Sequence, residues 1–466
     1  MTEPDPRRWR ALVVTLAGGF MVLLDVTIVT VAVPSIQRGL GASASGVQWV
    51  ISGYPLMFGL TLVAAGRLGD AFGRRRMYLI SLSAFIVTSA LCGAAPTVGF
   101  LIVSRLLQGI AAGSITPQNA GLVQDLFQGA ERGKAFGMLG GTIGLSTALG
   151  PLVGGSILDA FGEPDGWRWV FLVNVPVGLL TLLLAARFVP KVERRPGRSD
   201  IDLLGMVLLG LTVLCVLFPV VQSESGGLRR FWWIFLFAVP LGYGFLRWER
   251  RRVGQERAPL LDTRLFTEVR GYPSGTLITS VYFAGFSGIW LTFALFLQTG
   301  LGFSPLESGL TVAPFSVGSA ISAVIAGRLV ARWGRRVTVF GLSTVAVGLG
   351  VVAVLIRLVP SEHTAVAILL PMLLAGIGGG AVISPNNTMT LSNVPNRMAG
   401  VAAGVIQTGQ RMGNAFGTAM LAAIFHATAA GRHFAAGMSM SLICAVALIL
   451  ISLGIATREL RTIRST

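Results

Sequence analysis

Three charged residues stand where charge is costly. Asp25 falls inside the apolar run 10–34, Arg105 inside 98–122 and Arg411 inside 399–426. Of the twenty acidic residues, Asp25 alone lies well within such a run. An ionisable side chain in hydrocarbon is a functional candidate by default, because it is kept against a desolvation cost. A guanidinium beside a carboxyl group lowers its proton affinity and desolvation raises it, so moving the cation changes protonation. Asp25 is thus a candidate proton carrier and Arg105 its modulator. The plainer readings are a structural hydrogen bond from Asp25 to a neighbouring helix, and packing of Arg105 on backbone carbonyls. Arg411, with Gln407 and Gln410 nearby to solvate it, is open between a structural role and anion recognition. Two Arg against one Asp leave the interior formally positive. Lipophilic monocations, neutral compounds and amphiphilic acids all remain open as ligands.

The elements that must carry these residues follow from composition. The chain has 466 residues, 53% hydrophobic and only 12% charged, with 60 Gly. Soluble domains carry about 25% charged residues, and Gly-rich apolar segments are typical of packed membrane helices. A net charge of +17 raises nucleic acid as a partner, but the basic residues fall in short clusters between apolar runs rather than on one surface. No nucleic-acid role is expected. Fourteen runs are long enough to span: 10–34, 47–68, 77–95, 98–122, 135–158, 167–188, 202–221, 230–248, 272–298, 308–331, 337–358, 364–391, 399–426 and 436–456. The first is too long for a signal-peptide core and reads as a membrane helix. With the N-terminus in the cytoplasm, inside segments hold 29 Lys and Arg and outside segments six, which predicts both termini inside. In that orientation Asp25 lies nine residues from the outer end of its run and Arg105 seven from the outer start of its own. At about 1.5 Å per residue the two share a depth.

The chain also repeats itself. Gly66-Arg67-Leu68 returns as Gly327-Arg328-Leu329, and Leu106-Leu107-Gln108-Gly109-Ile110 as Leu373-Leu374-Ala375-Gly376-Ile377. Each longer copy leads on to a proline, Pro117 or Pro385. The repeat predicts an all-α polytopic protein with two six-helix halves and two extra helices between them. The expected parts are 1–190, an inserted helix pair in 200–250, a cytoplasmic linker at 251–270 and a second half from 271 to 466.

Between the second and third runs lies Gly66-Arg67-Leu68-Gly69-Asp70-Ala71-Phe72-Gly73-Arg74-Arg75-Arg76. Arginines at this place hold orientation and meet anionic lipid. They do not account for Asp70, which a helix N-terminus would stabilise, nor for glycines that permit close approach and a tight turn. The three cysteines (Cys92, Cys215, Cys444) all fall in apolar runs and read as packing residues. His363, His426 and His433 lack ligand spacing, and no Walker, HExxH or Gly-x-Ser-x-Gly sequence occurs. No metal, cofactor or enzyme activity is expected, and an ion gradient must drive any transport.

These segments resemble the major facilitator superfamily, and within it the 14-helix drug:proton antiporters. Gly66, Asp70, Gly73, Arg74, Arg75 and Arg76 match the loop signature between helices 2 and 3, with Ala71 in place of the usual basic residue. Leu24 to Val29 through Val33-Pro34 is similar to the helix 1 signature. Arg105, Gly109 and Gly113 are similar to that of helix 4. Gly137, Gly150, Pro151, Gly154 and Gly155 resemble the exporters' helix 5 signature. Trp167 to Phe171 with Asn174-Val175-Pro176 resembles the run opening helix 6, and Gln298 to Gly309 the loop between helices 9 and 10.

The resemblance implies alternating access in the cytoplasmic membrane, with lipophilic small molecules exported against protons and the protein surrounded by lipid as a monomer. It implies a cytoplasmic gate at Gly66, Asp70, Gly73, Arg74 and Arg75, joined by Asp125. It implies a rocking interface at the helix 5 glycines and Pro151, which by residue type alone read more readily as ordinary helix packing. Helix 9 would line the cavity with Tyr282, Phe286 and Trp290, joined by Arg411. An aromatic stripe at that spacing also suits plain core or lipid packing. Import, lipid export on the same fold, and a non-transporting membrane sensor remain alternative functions.

Overall fold

A computed structural model describes residues 7–162, 165–190, 202–222, 230–255, 257, 259–303, 305–395, 398–429 and 433–464. The described residues are helical, without strands. In order they form α1 (Arg8–Leu40), α2 (Ala44–Phe72), α3 (Arg74–Gly93), α4 (Val98–Leu126), α5 (Gly129–Phe161), α6 (Gly166–Leu172), α7 (Asn174–Phe188), α8 (Leu203–Val221) and α9 (Phe235–Gly254). Then follow α10 (Arg264–Thr267), α11 (Tyr272–Phe286), α12 (Ile289–Ala294), a π-helical turn at Leu295–Gly300, α13 (Pro305–Trp333), α14 (Arg335–Leu358), α15 (Ser361–Leu391), α16 (Ala399–Thr428) and α17 (Phe434–Arg464). Every apolar run of the sequence coincides with helix. Among the described residues, eleven helices are long and apolar enough to cross a membrane. α5, α9 and α16 are not among these eleven. α9 ends in Arg247, Glu249, Arg250, Arg251 and Arg252, and α16 carries Gln407, Gln410, Arg411 and Asn414. The basic cluster from Lys191 to Arg198 lies outside the described residues.

Local chemistry sets several helix ends. Ser43 caps α2 through Gly46 N–H at 3.2 Å, and Thr97 caps α4 through Phe100 N–H at 3.3 Å. Their hydroxyls satisfy amides that have no partner within the helix. Single glycines join α2 to α3 and α13 to α14: Gly73 at φ +96° and Gly334 at φ +52°. Only glycine takes such angles without strain. The two stand at equivalent places in the sequence repeat, and both take positive φ, though their ψ angles differ (127° and −131°).

The chain divides into two compact units. The first comprises Met1–Gln128, Leu145–Leu265 and Val394–Thr408; the second comprises Gly129–Gly144, Phe266–Asn393 and Gly409–Thr466. The division runs through the middle of α5 and of α16. The first unit's interior includes Tyr54, Phe58, Tyr78, Phe85 and Ile115, and a second cluster around Trp167, Val170 and Phe171. α8 packs on α9 and on α2 in this unit. The second unit's core runs from Ile278 and Tyr282 through Phe293, Phe315, Leu349 and Met372 to Leu442. Large apolar side chains such as Leu183, Val239 and Leu370 are about 70% exposed, as a lipid-facing surface requires.

Candidate functional site

Asp25 on α1 and Arg105 on α4 meet in the first unit. Arg105 Nη1 lies 2.5 Å from Asp25 Oδ2, and neither side chain is more than 2% exposed. Asp25 Oδ1 accepts from Asn174 Nδ2 at 2.9 Å and from Gln108 Nε2 at 3.2 Å. Gln108 and Asn174 also donate to Ser89 Oγ, at 3.1 and 3.2 Å. Arg105 further donates to Gln108 Oε1 at 2.8 Å and to the Val50 carbonyl at 3.3 Å. Its guanidinium lies 4.2 Å from the Tyr54 ring centroid, and the Tyr54 hydroxyl donates to the Val22 carbonyl. Helix spacing explains the assembly: Arg105 and Gln108 are three apart, so both present to one neighbour. α7 starts at Asn174, which puts that amide at the break between α6 and α7.

Chemically this is an acceptor-only carboxylate with its oxygens engaged by one cationic and two amide donors. Charge within an apolar run marks Asp25 and Arg105 in the sequence but not Gln108, Asn174, Ser89 or Tyr54. The available signal was polarity inside apolar runs, which Gln108 and Asn174 share with Asp25.

The loop residues also come together. Asp70 accepts from Arg74 at 3.0 Å and from the backbone N–H groups of Gly400 and Val401, both at 3.1 Å. Those two amides open α16, so Asp70 sits on the positive end of that helix. Arg74 reaches Asp125 at 2.6 Å and also donates to the Gly121 carbonyl. Arg75 donates to the Ala186 carbonyl in the last turn of α7. A methyl group on Gly66 would overlap the Gly400 carbonyl, so α2 and α16 touch backbone to backbone there. The second copy of the loop does the mirror task in the second unit, where Gly327 meets Gly133 and Gly137 of α5. There Ala331 leaves no carboxylate, and Arg335 is buried instead against Glu459 of α17 at 2.9 Å. Arg335 also donates to Asn386, whose amide holds Gly275 O and Thr279 Oγ1. Glu459 gave no signal in the sequence, since it lies beyond the last apolar run.

On α5, Gly137 packs on Ala323 and Gly327, while Gly150 and Gly154 pack on Thr27 and Ile28 of α1. Gly155 faces open space. Pro151 lies within α5, and its side chain falls outside the described residues. Tyr282 stacks on Phe286 at 5.3 Å, Phe286 meets Trp290 at 5.5 Å, and Phe315 joins both Phe286 and Trp290. Among the described residues the Tyr282 hydroxyl is buried without a hydrogen-bond partner. Arg411 is half-buried on α16, in the second unit.

The sequence model of the Major Facilitator Superfamily matches residues 15–418 and 275–463. The chain is 36% identical over 426 residues to a probable actinorhodin transporter of Streptomyces coelicolor, covering 91% of this chain and 73% of that protein. It is 37% identical over 426 residues to the puromycin resistance protein pur8 of Streptomyces alboniger, covering 90% and 82%. Among solved structures, that of the human organic anion transporter MFSD10 (TETRAN) superposes with a TM-score of 0.70 at 16% identity, covering 97% of this chain and 100% of that one. At that identity the likeness speaks for the fold alone.

Proposed function

The chain belongs to the major facilitator superfamily, and from that premise we propose that it is a proton-coupled antiporter exporting lipophilic small molecules from bacteria. Relatives named as a probable actinorhodin transporter, a puromycin resistance protein and a tetracenomycin C resistance and export protein support the direction and the substrate class. In this reading all fourteen apolar helices cross the cytoplasmic membrane, with both termini inside and two six-helix halves alternating access around the inserted pair.

The observation that carries the proposal is the sealed group of Asp25, Arg105, Gln108 and Asn174. A proton reaches Asp25 when Arg105 moves or an α7 amide withdraws, and it leaves when the guanidinium returns. Because those donors stand on α4 and α7, protonation is tied to a relative shift of α1, α4 and α7. Such a tie is what coupling requires, since a proton can drive only states that differ in proton affinity. At the inner side Asp70 anchors the start of α16 and is itself fixed by Arg74, which Asp125 also holds; we assign this contact as the cytoplasmic gate. Gly137, Gly150 and Gly154 give α5 the close contacts along which the halves rock. The aromatic group of Tyr282, Phe286 and Trp290 offers flat apolar walls to a lipophilic substrate, and Arg411 a cation for an acidic one.

The test uses everted membrane vesicles energised by an imposed pH gradient. Wild type is expected to accumulate substrate and release protons when the substrate is added. Asp25→Asn is expected to lose the response to the gradient while keeping substrate binding. Full gradient-driven accumulation by Asp25→Asn would remove the assignment.

A further inference from the structure

A second buried carboxylate group lies apart from the transport machinery, where α8 and α9 meet the segment that leads on to α10. Asp202 caps α8 by accepting from Gly205 N–H at 2.9 Å, and it accepts from the Trp248 indole at 2.9 and 3.0 Å. Glu249, one residue after Trp248 and just beyond the apolar run 230–248, is wholly buried, and Asp202 is 1% exposed. Glu249 Oε2 accepts from the Leu261 backbone N–H at 3.1 Å. Its other oxygen, Oε1, has no hydrogen-bond partner among the described residues. That oxygen and Asp202 Oδ2 face the same small space over Gly205, 2.6 and 2.5 Å from where a Cβ would stand.

Two acceptor-only groups facing each other in a buried space satisfy one another only through a proton. Arg252, one turn along α9, lies 3.4 Å from Asp202 and offsets one negative charge. Asp262 on the adjoining segment is already engaged by Arg264 at 2.6 Å. Among the described residues the second negative charge has no cation of its own beyond Arg252. We propose that Asp202 and Glu249 form a proton-binding clasp that fastens the segment Leu260–Asp262 onto the inserted helix pair, and that losing the proton loosens it. Leu260, Leu261 and Leu265 are buried in the fastened form. The clasp gives α8 and α9 a regulatory task, sensing pH at their charged ends.

The sign follows from the environment. Burial, then the facing Asp202 carboxylate, push the Glu249 carboxyl up from 4.5 to about 8, against the opposing Leu261 amide and Arg252. A group whose proton affinity is raised on closing stabilises the closed form fully below its ordinary pKa and loses that contribution as pH rises. The clasp therefore weakens from about pH 4.5 to about pH 8 and changes no further above it.

Hydrogen exchange of the Leu261 amide in the purified full chain tests this, with each rate divided by the intrinsic rate at that pH. Protection in the wild type is expected to fall by up to about tenfold per pH unit between pH 6 and 7.5, and to level off above about pH 8. Glu249→Gln, which keeps the shape of the protonated group, is expected to show no slope. Asp202→Asn removes the facing negative charge, so levelling-off is expected at a lower pH. A flat wild-type profile, a wild-type slope persisting in Glu249→Gln, or an unchanged levelling-off pH in Asp202→Asn would each overturn the clasp. If Glu249→Gln fails to fold, the wild-type and Asp202→Asn profiles decide alone.

Discussion

Cutting the Asp25–Arg105 pair from each side, and then from both, separates its stability from its chemistry. In Asp25→Asn the guanidinium of Arg105, 1% exposed, loses the only carboxylate within 4 Å that the described residues give it. Removing one member of a buried pair costs about 3–5 kcal/mol, mostly from the stranded charge. Arg105→Met leaves Asp25 with the amides of Gln108 and Asn174; a carboxyl group can also neutralise itself by taking a proton, so the expected cost sits at about 3 kcal/mol. Independent effects would sum to about 6–8 kcal/mol, but the double variant strands no charge. It is expected to recover at least about 2 kcal/mol of that sum. The measurement is unfolding of the purified protein in mixed micelles, with gradient-driven uptake by everted vesicles in parallel. Stability should return in the double variant while proton-driven transport stays absent. Strict additivity would refute the energetic pairing, and proton-driven transport in the double variant would refute the role of Asp25 as carrier.

The glycine contacts make a contrast that packing alone decides. Gly66→Ala is expected to cost about 1–3 kcal/mol, because its methyl group meets backbone that cannot rotate away, whereas Gly155→Ala is expected to be neutral in melting temperature and transport. Asp70→Asn removes the ion pair with Arg74 and the charge on the α16 amides. A loss of about 1–3 kcal/mol should raise alkylation of a cysteine placed at the Ala399 end of α16, and unchanged labelling would count against the gate. Glu459→Ala leaves Arg335 buried without its carboxylate, so about 3 kcal/mol of stability should be lost. Restoration by Glu459→Asp would show that charge rather than side-chain length matters.

The all-helical fold and the membrane setting were legible in the sequence, because both rest on composition and on runs whose length hydrocarbon thickness dictates. Repetition carried the loop geometry as well: Gly73 and Gly334 occupy matching places and both turn through positive φ. Asp25 and Arg105 were legible for the same reason that they are costly, and helix rise alone set them at one depth. Their surroundings were not. Gln108, Asn174 and Ser89 are ordinary polar residues until three helices converge on them, and the rotation of each helix about its axis is set by packing across the unit. Glu459 and Glu249 lie beyond apolar runs, where charge is unremarkable in sequence; only folding buries them against Arg335 and Asp202. The sequence determined which segments are apolar and helical and which charges they carry, since each segment answers to solvent by itself. Which of those charges meet, and which glycines bring backbones into contact, was decided by tertiary structure, because such contacts are properties of pairs of helices and not of any one.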